Sequence, residues 1–364
     1  MTLLIYMSAD NNLDSFAIDD LEMITKASIY SDIDIIIQLD RYEFIDTKES
    51  FVYHIKSGEK KIIQRLGEIN SGSPDTLKEF IQKWGRAYLS RPLMVIVWSH
   101  GTGVDDRDIY NPTRDRLFIQ EEEIEEIAIS FDDEAKDFID NIELQKALNV
   151  DIKIDILGFD ACLMGMFEIA YQLKNQTNII VSSQYIEPAT GWNYKNILEE
   201  IKSDTQAEDI AKIIVNLYGD YYERDYTTAT LSAYDTALVE EIAKAIDIFA
   251  LELKESLESK DDLKGILSKV QDFNRSDYID LIHFIKLVDE SFQITSSKRL
   301  LKLLDNMIIA NRALGYDMEY AHGVFIYFPH TKVPFADTFN MYERLDFSIE
   351  YPNWINLIRY TLTL

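Results

Sequence analysis

One thiol and one imidazole stand where chemistry is easiest to build. Cys162 is the only cysteine of the chain. It follows an apolar run, Ile152 to Phe159, that reads as a buried strand, and it precedes a stretch with helical spacing. A thiol at such a strand-to-helix turn meets the positive end of the helix dipole and its free N–H groups. Both favour the thiolate, which is the nucleophilic form. His100 stands in a similar place, just after the apolar run Leu93 to Trp98, within Ser99-His100-Gly101-Thr102-Gly103.

A Cys–His pair is a working unit for acyl transfer. Imidazole helps form the thiolate and later protonates the leaving amine. The attacked carbonyl becomes an oxyanion that needs N–H donors. The amides of Cys162 and Gly101 are the natural ones, glycine allowing close backbone approach. Each residue also has a plainer reading. A lone cysteine is most often a small buried hydrophobe, and a lone histidine after a strand is more often a surface cap. The shared placement at strand ends is what favours the pair.

Asp160 lies two residues before Cys162. Its carboxylate can point into the same cleft and pair with a Lys or Arg of a substrate. As a helix N-cap it would serve equally well, and the local pattern leaves both open. His54, His283, His322 and His330 have no partner motif. There is no HExxH, no paired-His metal spacing, no P-loop, no GxGxxG and no GxSxG, so no metal ligand is assigned.

The elements that must position these residues read as an α/β fold. Thr2 to Met7 is a strand closed by Ser8-Ala9-Asp10-Asn11-Asn12, and Asp14 to Ile29 has apolar residues near helical spacing. Ile33 to Leu39 is nearly apolar throughout, as in strands buried on both faces of a parallel sheet. Phe51 to Ser57 and Lys60 to Leu66 read as a hairpin, and Ser73-Pro74-Asp75 opens a helix. Strands at Leu93 to Trp98, Ile152 to Phe159 and Asn178 to Ser182 complete a mostly parallel, doubly wound sheet, whose active sites form beyond the carboxyl ends of the strands. Residues 104–149 make a long, charged connection. A helical tract from Thr236 to about Leu314 predicts a C-terminal lobe. The expected division is 1–235 for the catalytic domain and 236–364 for a largely helical lobe that contributes a late strand at 323–328.

The chain has 364 residues, 47% hydrophobic, enough for a sizeable core. Its 64 acidic residues against 36 basic give a net charge of −28. That argues against nucleic acid, which needs a basic face, and suits cationic substrates. A single cysteine excludes an internal disulfide and thiolate zinc sites. No run approaches a membrane span, so no membrane partner is expected. The N-terminus reads as a strand rather than a signal. The chain as written is therefore read as cytoplasmic, or as secreted if a signal peptide has been trimmed from it.

VIVWSHGTG followed by DILGFDACLMGMFEIAYQL resembles the clostripain family of cysteine peptidases. LLIYMSADNNLD, SFDDEAKDFIDNIELQKAL, SSQYIEPATGWNY and AHGVFIYFP are similar to further family segments. The resemblance implies a caspase-like three-layer α/β/α sandwich and cleavage of peptides after Arg or Lys. By position it makes Cys162 the nucleophile, His100 the general acid/base and Asp160 the selector of the basic residue. It brings the loop from Ser183 to Trp192 in as a pocket wall, with Ser183 as a substrate contact. Self-cleavage between the histidine and the cysteine is frequent in the family, and Arg107, Arg114, Arg116 and Lys136 are candidates here. Just before Ser130, where a basic residue is expected, the chain has Ile127-Ala128-Ile129. Calcium activation is known in the family; the acidic clusters permit it without showing a defined ligand loop, and no cofactor is otherwise required. The expected partners are peptides or proteins with Arg or Lys, met by a monomer. A catalytically silent module that binds basic peptides is the alternative.

Overall fold

Eight residues at the start of the chain, Thr2–Ala9, form strand β1, buried along its whole length. Such a strand needs cover on both faces, and the parallel strands beside it supply the same demand. The computed structural model describes residues 1–42, 49–104, 129–224, 227–330 and 335–362. They form two units. One comprises Met1–Cys162 with Ala189–Thr205, the other Leu163–Pro188 with Gln206–Leu364.

In the first unit, β2 (Asp34–Arg41), β3 (Ser50–Lys56), β4 (Glu59–Gly67), β5 (Leu93–Trp98) and β8 (Ile154–Asp160) join β1 in the order β8-β5-β1-β2-β3-β4. The four strands β8, β5, β1 and β2 are parallel. The hairpin β3–β4 adds antiparallel strands at the edge. Its turn is Ser57-Gly58, both at positive φ (52° and 81°), the backbone that matches strand twist in a two-residue hairpin.

Period-two alternation assigns the faces. Tyr6 meets Phe80 of α2 (Pro74–Ala87) with ring centroids 5.8 Å apart. Trp98 faces the opposite way and donates its Nε1–H to Asp20 of α1 (Asp14–Ala27) at 2.9 Å. Helix α3 (Asn141–Leu148) packs beside α2, and α5 (Tyr194–Glu200) beside α1. Helices thus cover both faces of this sheet. A small hairpin, β6 (Ile129–Asp132) with β7 (Asp137–Ile139), precedes α3.

In the second unit, α4 is Phe167–Leu173. Strands β9 (Thr177–Ser182), β10 (Ala229–Asp235) and β13 (Ile308–Leu314) pair antiparallel in that order. Helix α6 (Ala207–Glu223) packs on β10 and β13. Strands β11 (Asp272–Phe273), β12 (Arg275–Asp280) and β14 (Phe325–Tyr327) form a separate three-stranded sheet. The late strand expected at 323–328 is β14. The helical tract expected from Thr236 to Leu314 is interrupted. Helices α7 (Val239–Ser256), α8 (Lys264–Leu267), α9 (Leu281–Phe292) and α10 (Ser297–Met307) alternate with β11 and β12, and its last seven residues are β13. Helices α11 (Phe335–Tyr342), α12 (Asp346–Glu350) and α13 (Asn353–Leu362) end the described chain. No described helix is long and apolar enough to cross a membrane.

Candidate active site

Parallel pairing of β5 with β8 sets Trp98 opposite Asp160. Ser99 donates its N–H to the carbonyl of Asp160 at 3.3 Å. His100 and Cys162 therefore each lie two residues beyond paired positions, at the carboxyl ends of adjacent strands. They are 62 positions apart in sequence, yet the strands they follow are neighbours at one strand spacing, about 4.8 Å. The Cys162 side chain is partly exposed.

Helix α4 starts at Phe167, five residues after the cysteine, so Cys162 is not at a helix N-terminus. It sits in a turn, followed by Leu163 in the left-handed region (φ 57°). The expectation that Cys162 stands at a helix N-terminus, where the helix dipole would favour its thiolate, is thus corrected. The N-cap reading of Asp160 fails for the same reason: the cap of α4 is Met166, and Asp160 ends β8.

His100 has a partner that the sequence did not disclose. Asn12, in the turn after β1, lies with Oδ1 2.6 Å from Nε2 of His100. An amide oxygen accepts, so Nε2 carries a hydrogen in this pairing. The turn is fixed by Asn11, whose Nδ2 donates to the carbonyls of Ser8 (3.1 Å) and Phe131 (2.9 Å). Phe131 in turn meets the His100 ring edge-on, with centroids 6.3 Å apart at 78°. Gly101 forms an isolated antiparallel bridge with Ile129. Asn141 donates to the carbonyl of Gly103 at 3.0 Å, closing the turn that carries the histidine.

Asp160 is 5% exposed. It shares a strand face with Gly158, two residues earlier, and this face turns toward Trp192 and α5. Gly158 has no Cβ because one would lie 2.8 Å from the Trp192 indole. Tyr194 donates its hydroxyl to Asp160 Oδ2 at 2.6 Å, and the Trp192 amide approaches the same oxygen at 3.3 Å. Gly191 is at φ 52°, and a Cβ there would fall 2.8 Å from Asp160 Oδ1. The loop before α5 is thus shaped around the carboxylate. Burial, followed by the charge of Asp160, pushes Asp20 up to about 8.

Ser183 departs from its expected role. Its side chain is fully buried. The hydroxyl donates to the carbonyl of Tyr185 at 2.9 Å, lies 2.9 Å from the Thr230 hydroxyl and accepts from the Tyr185 amide at 3.1 Å. It holds its own loop rather than meeting a substrate. Lys136 is exposed, in the β6–β7 turn at φ 55°. Arg107, Arg114 and Arg116 lie outside the described residues. Among the described residues, the groups of acidic side chains able to hold a metal ion are Asp10, Asp40 and Asp132, and Asp10, Glu68 and Glu134. Neither includes His100 or Cys162.

A model described as the clostripain family matches residues 5–360 of the chain. Clostripain of Hathewaya histolytica is 26% identical over 339 residues, which take in 78% of this chain and 61% of clostripain. The chain thus spans about three fifths (61%) of the length of that curated relative. Among solved structures, an inactive zymogen C11 protease from Parabacteroides distasonis superposes with a TM-score of 0.74 at 19% identity, covering 96% of this chain and 97% of that one. A secreted C11 cysteine protease from Bacteroides thetaiotaomicron, solved with an irreversible peptide inhibitor, gives 0.73 at 17% identity, covering 96% and 97%. At these identities the structural likeness carries the fold, which is the expected α/β architecture.

Proposed function

The chain belongs to the clostripain family of cysteine peptidases, and on that premise we propose that it is an endopeptidase cutting after Arg or Lys through Cys162 and His100. The observation that carries the reading is the strand register that puts both residues just beyond the Trp98–Asp160 pair.

In this reading Nδ1 of His100 takes the Cys162 proton, and the thiolate attacks the carbonyl carbon before the scissile bond. The tetrahedral oxyanion is met by the amides of Gly101 and Cys162. The imidazolium then protonates the leaving amine, and a thioester remains on Cys162. Water, deprotonated by His100, hydrolyses it and restores the thiol. Asn12 holds Nε2–H throughout, so the tautomer needed for the first proton transfer is set before substrate arrives. The Asp160 carboxylate, steadied by Tyr194 and the Trp192 amide, pairs with the substrate's guanidinium or ammonium.

Self-cleavage within residues 104–149 belongs to the same reading. Of the candidates, Lys136 is held in a left-handed turn between paired strands, with Asp132 opposite Asp137. A protease cleft takes an extended segment, which this hairpin does not offer. Arg107, Arg114 and Arg116 are therefore preferred over Lys136.

The test is hydrolysis of fluorogenic peptides ending in Arg or Lys. Folded protein that cleaves neither, with or without calcium or prior nicking, sinks the peptidase reading. Replacement of Cys162 by Ala should abolish turnover, and an alkylating peptide should label Cys162. Tight binding of basic peptides without turnover would select the silent binding module instead.

A further inference from the structure

In the second unit, α9 and the segment that leads into β14 meet over a carboxylate, an imidazole and an amine. Asp280 caps α9 and accepts the His283 amide on Oδ1 at 2.8 Å. Its Oδ2 accepts from the His322 amide at 2.7 Å and from Gln184 Nε2 at 3.0 Å. The side chain is fully buried. The His322 ring lies along this carboxylate: Nδ1 is 2.6 Å from the carbonyl of Tyr320 and 3.3 Å from Asp280 Oδ1. The far nitrogen, Nε2, is 2.8 Å from Nζ of Lys286, an exposed residue of α9.

Counting hydrogens shows what this chain of contacts does. Both neighbours of Nδ1 are acceptors, so Nδ1 carries a hydrogen. An ammonium only donates, so Nε2 offers its lone pair to Lys286, or else an imidazolium donates to a neutral amine. Either way a single hydrogen lies between Nε2 and Nζ. Lys286 forms no ion pair among the described residues, although the chain carries a net charge of −28. His283 stacks on Tyr320 with ring centroids 4.4 Å apart, and its Nδ1 accepts from the Gln271 amide at 3.0 Å. Burial pushes its pKa down against the pull of Asp280. It therefore adds no second positive charge beside Lys286.

A nucleophile, a base within hydrogen-bond reach and a third group that orients the base are the parts of an activated nucleophile. We infer that Lys286 is an acylation site, with His322 as its base and Asp280 positioning that base, and that it takes acyl groups from small acyl thioesters. One imidazole serves here as both base and acid, so the donor must carry a good leaving group. A thiol, with a pKa of about 8.5, is one; the amine of a peptide is not. Lys286 passes a proton to His322 Nε2, and the freed lone pair attacks the thioester carbonyl carbon. The C–S bond of the adduct breaks, His322 protonates the leaving thiolate, and the nitrogen releases its surplus proton to water. The products are an amide on Nζ and a free thiol. The amide is stable, so the residue is modified once and does not turn over. Acylation removes the positive charge that links α9 to the segment before β14.

The experiment uses the Cys162→Ala protein, so its result is independent of whether the chain is a peptidase. The protein is incubated at neutral pH with the acetyl thioester of N-acetylcysteamine, and acetylation of each lysine is followed by peptide mass spectrometry. Lys286 should react about 10-fold faster, or more, than Lys298 and Lys302, which are exposed on α10. In urea-unfolded protein the three should react at equal rates. His322→Gln removes the base and should bring Lys286 down to the rate of Lys298. Lys286 no faster than Lys298 in folded protein, an advantage that persists in urea, or an unchanged rate in His322→Gln overturns the assignment. The first two comparisons need no variant, so they decide the matter even where His322→Gln does not fold.

Discussion

Asn12 Oδ1 lies 2.6 Å from His100 Nε2, although the two residues come from different strand ends and 88 positions apart. An amide at this point selects the tautomer without adding charge. Asn12→Ala should lower kcat by about 10–100-fold while leaving KM for Arg-ended peptides nearly unchanged, the loss expected of one charge-assisted orienting hydrogen bond. Asn12→Asp should shift the acid limb of kcat/KM to higher pH, because a carboxylate stabilises imidazolium. A merely structural Asn12 would leave that limb in place.

Asp160→Asn should cost about 30- to 1,000-fold in kcat/KM for Arg-ended peptides, the range for losing one side of a buried charge pair. Cleavage of the citrulline-ended analogue should change little. Equal losses on both substrates would remove Asp160 from the pocket. Tyr194→Phe takes one donor from the same carboxylate. It should weaken Arg selectivity and lower stability by about 1–2 kcal/mol, read by urea unfolding.

Gly191→Ala should be damaging out of proportion to its size. The backbone at φ 52° disfavours a side chain, and the added methyl meets Asp160 at 2.8 Å. We expect a loss of about 1–2 kcal/mol from the backbone alone, together with a raised KM for basic substrates. A normal KM would show that the loop does not shape the pocket.

Asp20 makes stability depend on pH in a defined direction. Its pKa rises from 3.8 to about 8, first through burial and then through Asp160. Below about pH 4 the group is protonated in both folded and unfolded chains. From about pH 4 to 8 only the unfolded chain ionises, so stability falls as pH rises. Asp20→Asn keeps an acceptor for the Trp98 indole and abolishes this titration. Its stabilisation should be nearly absent at pH 4 and grow to several kcal/mol by pH 8, measured by thermal melts across that window. A pH-independent effect would contradict the assignment.

The placement of His100 and Cys162 at adjacent strand ends was legible because β5 and β8 are apolar runs that end abruptly, and strand ends in parallel sheets converge. What followed Cys162 was not. Leu163, Met166, Phe167, Ala170 and Leu173 have helical spacing, yet α4 starts only at Phe167. Long-range backbone pairing claims the residues before it: Gly165 donates to the carbonyl of Ser183 at 2.7 Å, and Met166 bridges to Phe325. Local periodicity cannot register such competition. The same limit hid β13, whose residues continue the apolar rhythm of α10 but pair with β10. Asn12 was hidden because strand order, not sequence, makes β1 the neighbour of β5.

The pairing of β5 with β8 is made by hydrogen bonds and by buried apolar side chains on both faces. The register of that pairing runs from Met94 opposite Ile156 to Trp98 opposite Asp160, and residues 105–128 lie between the two strands in sequence. A break anywhere in that segment would leave His100 and Cys162 on separate polypeptides that still share one sheet. The nicked enzyme would then behave as a two-chain molecule with one active site. Its fragments would separate only under conditions that unfold the sheet itself.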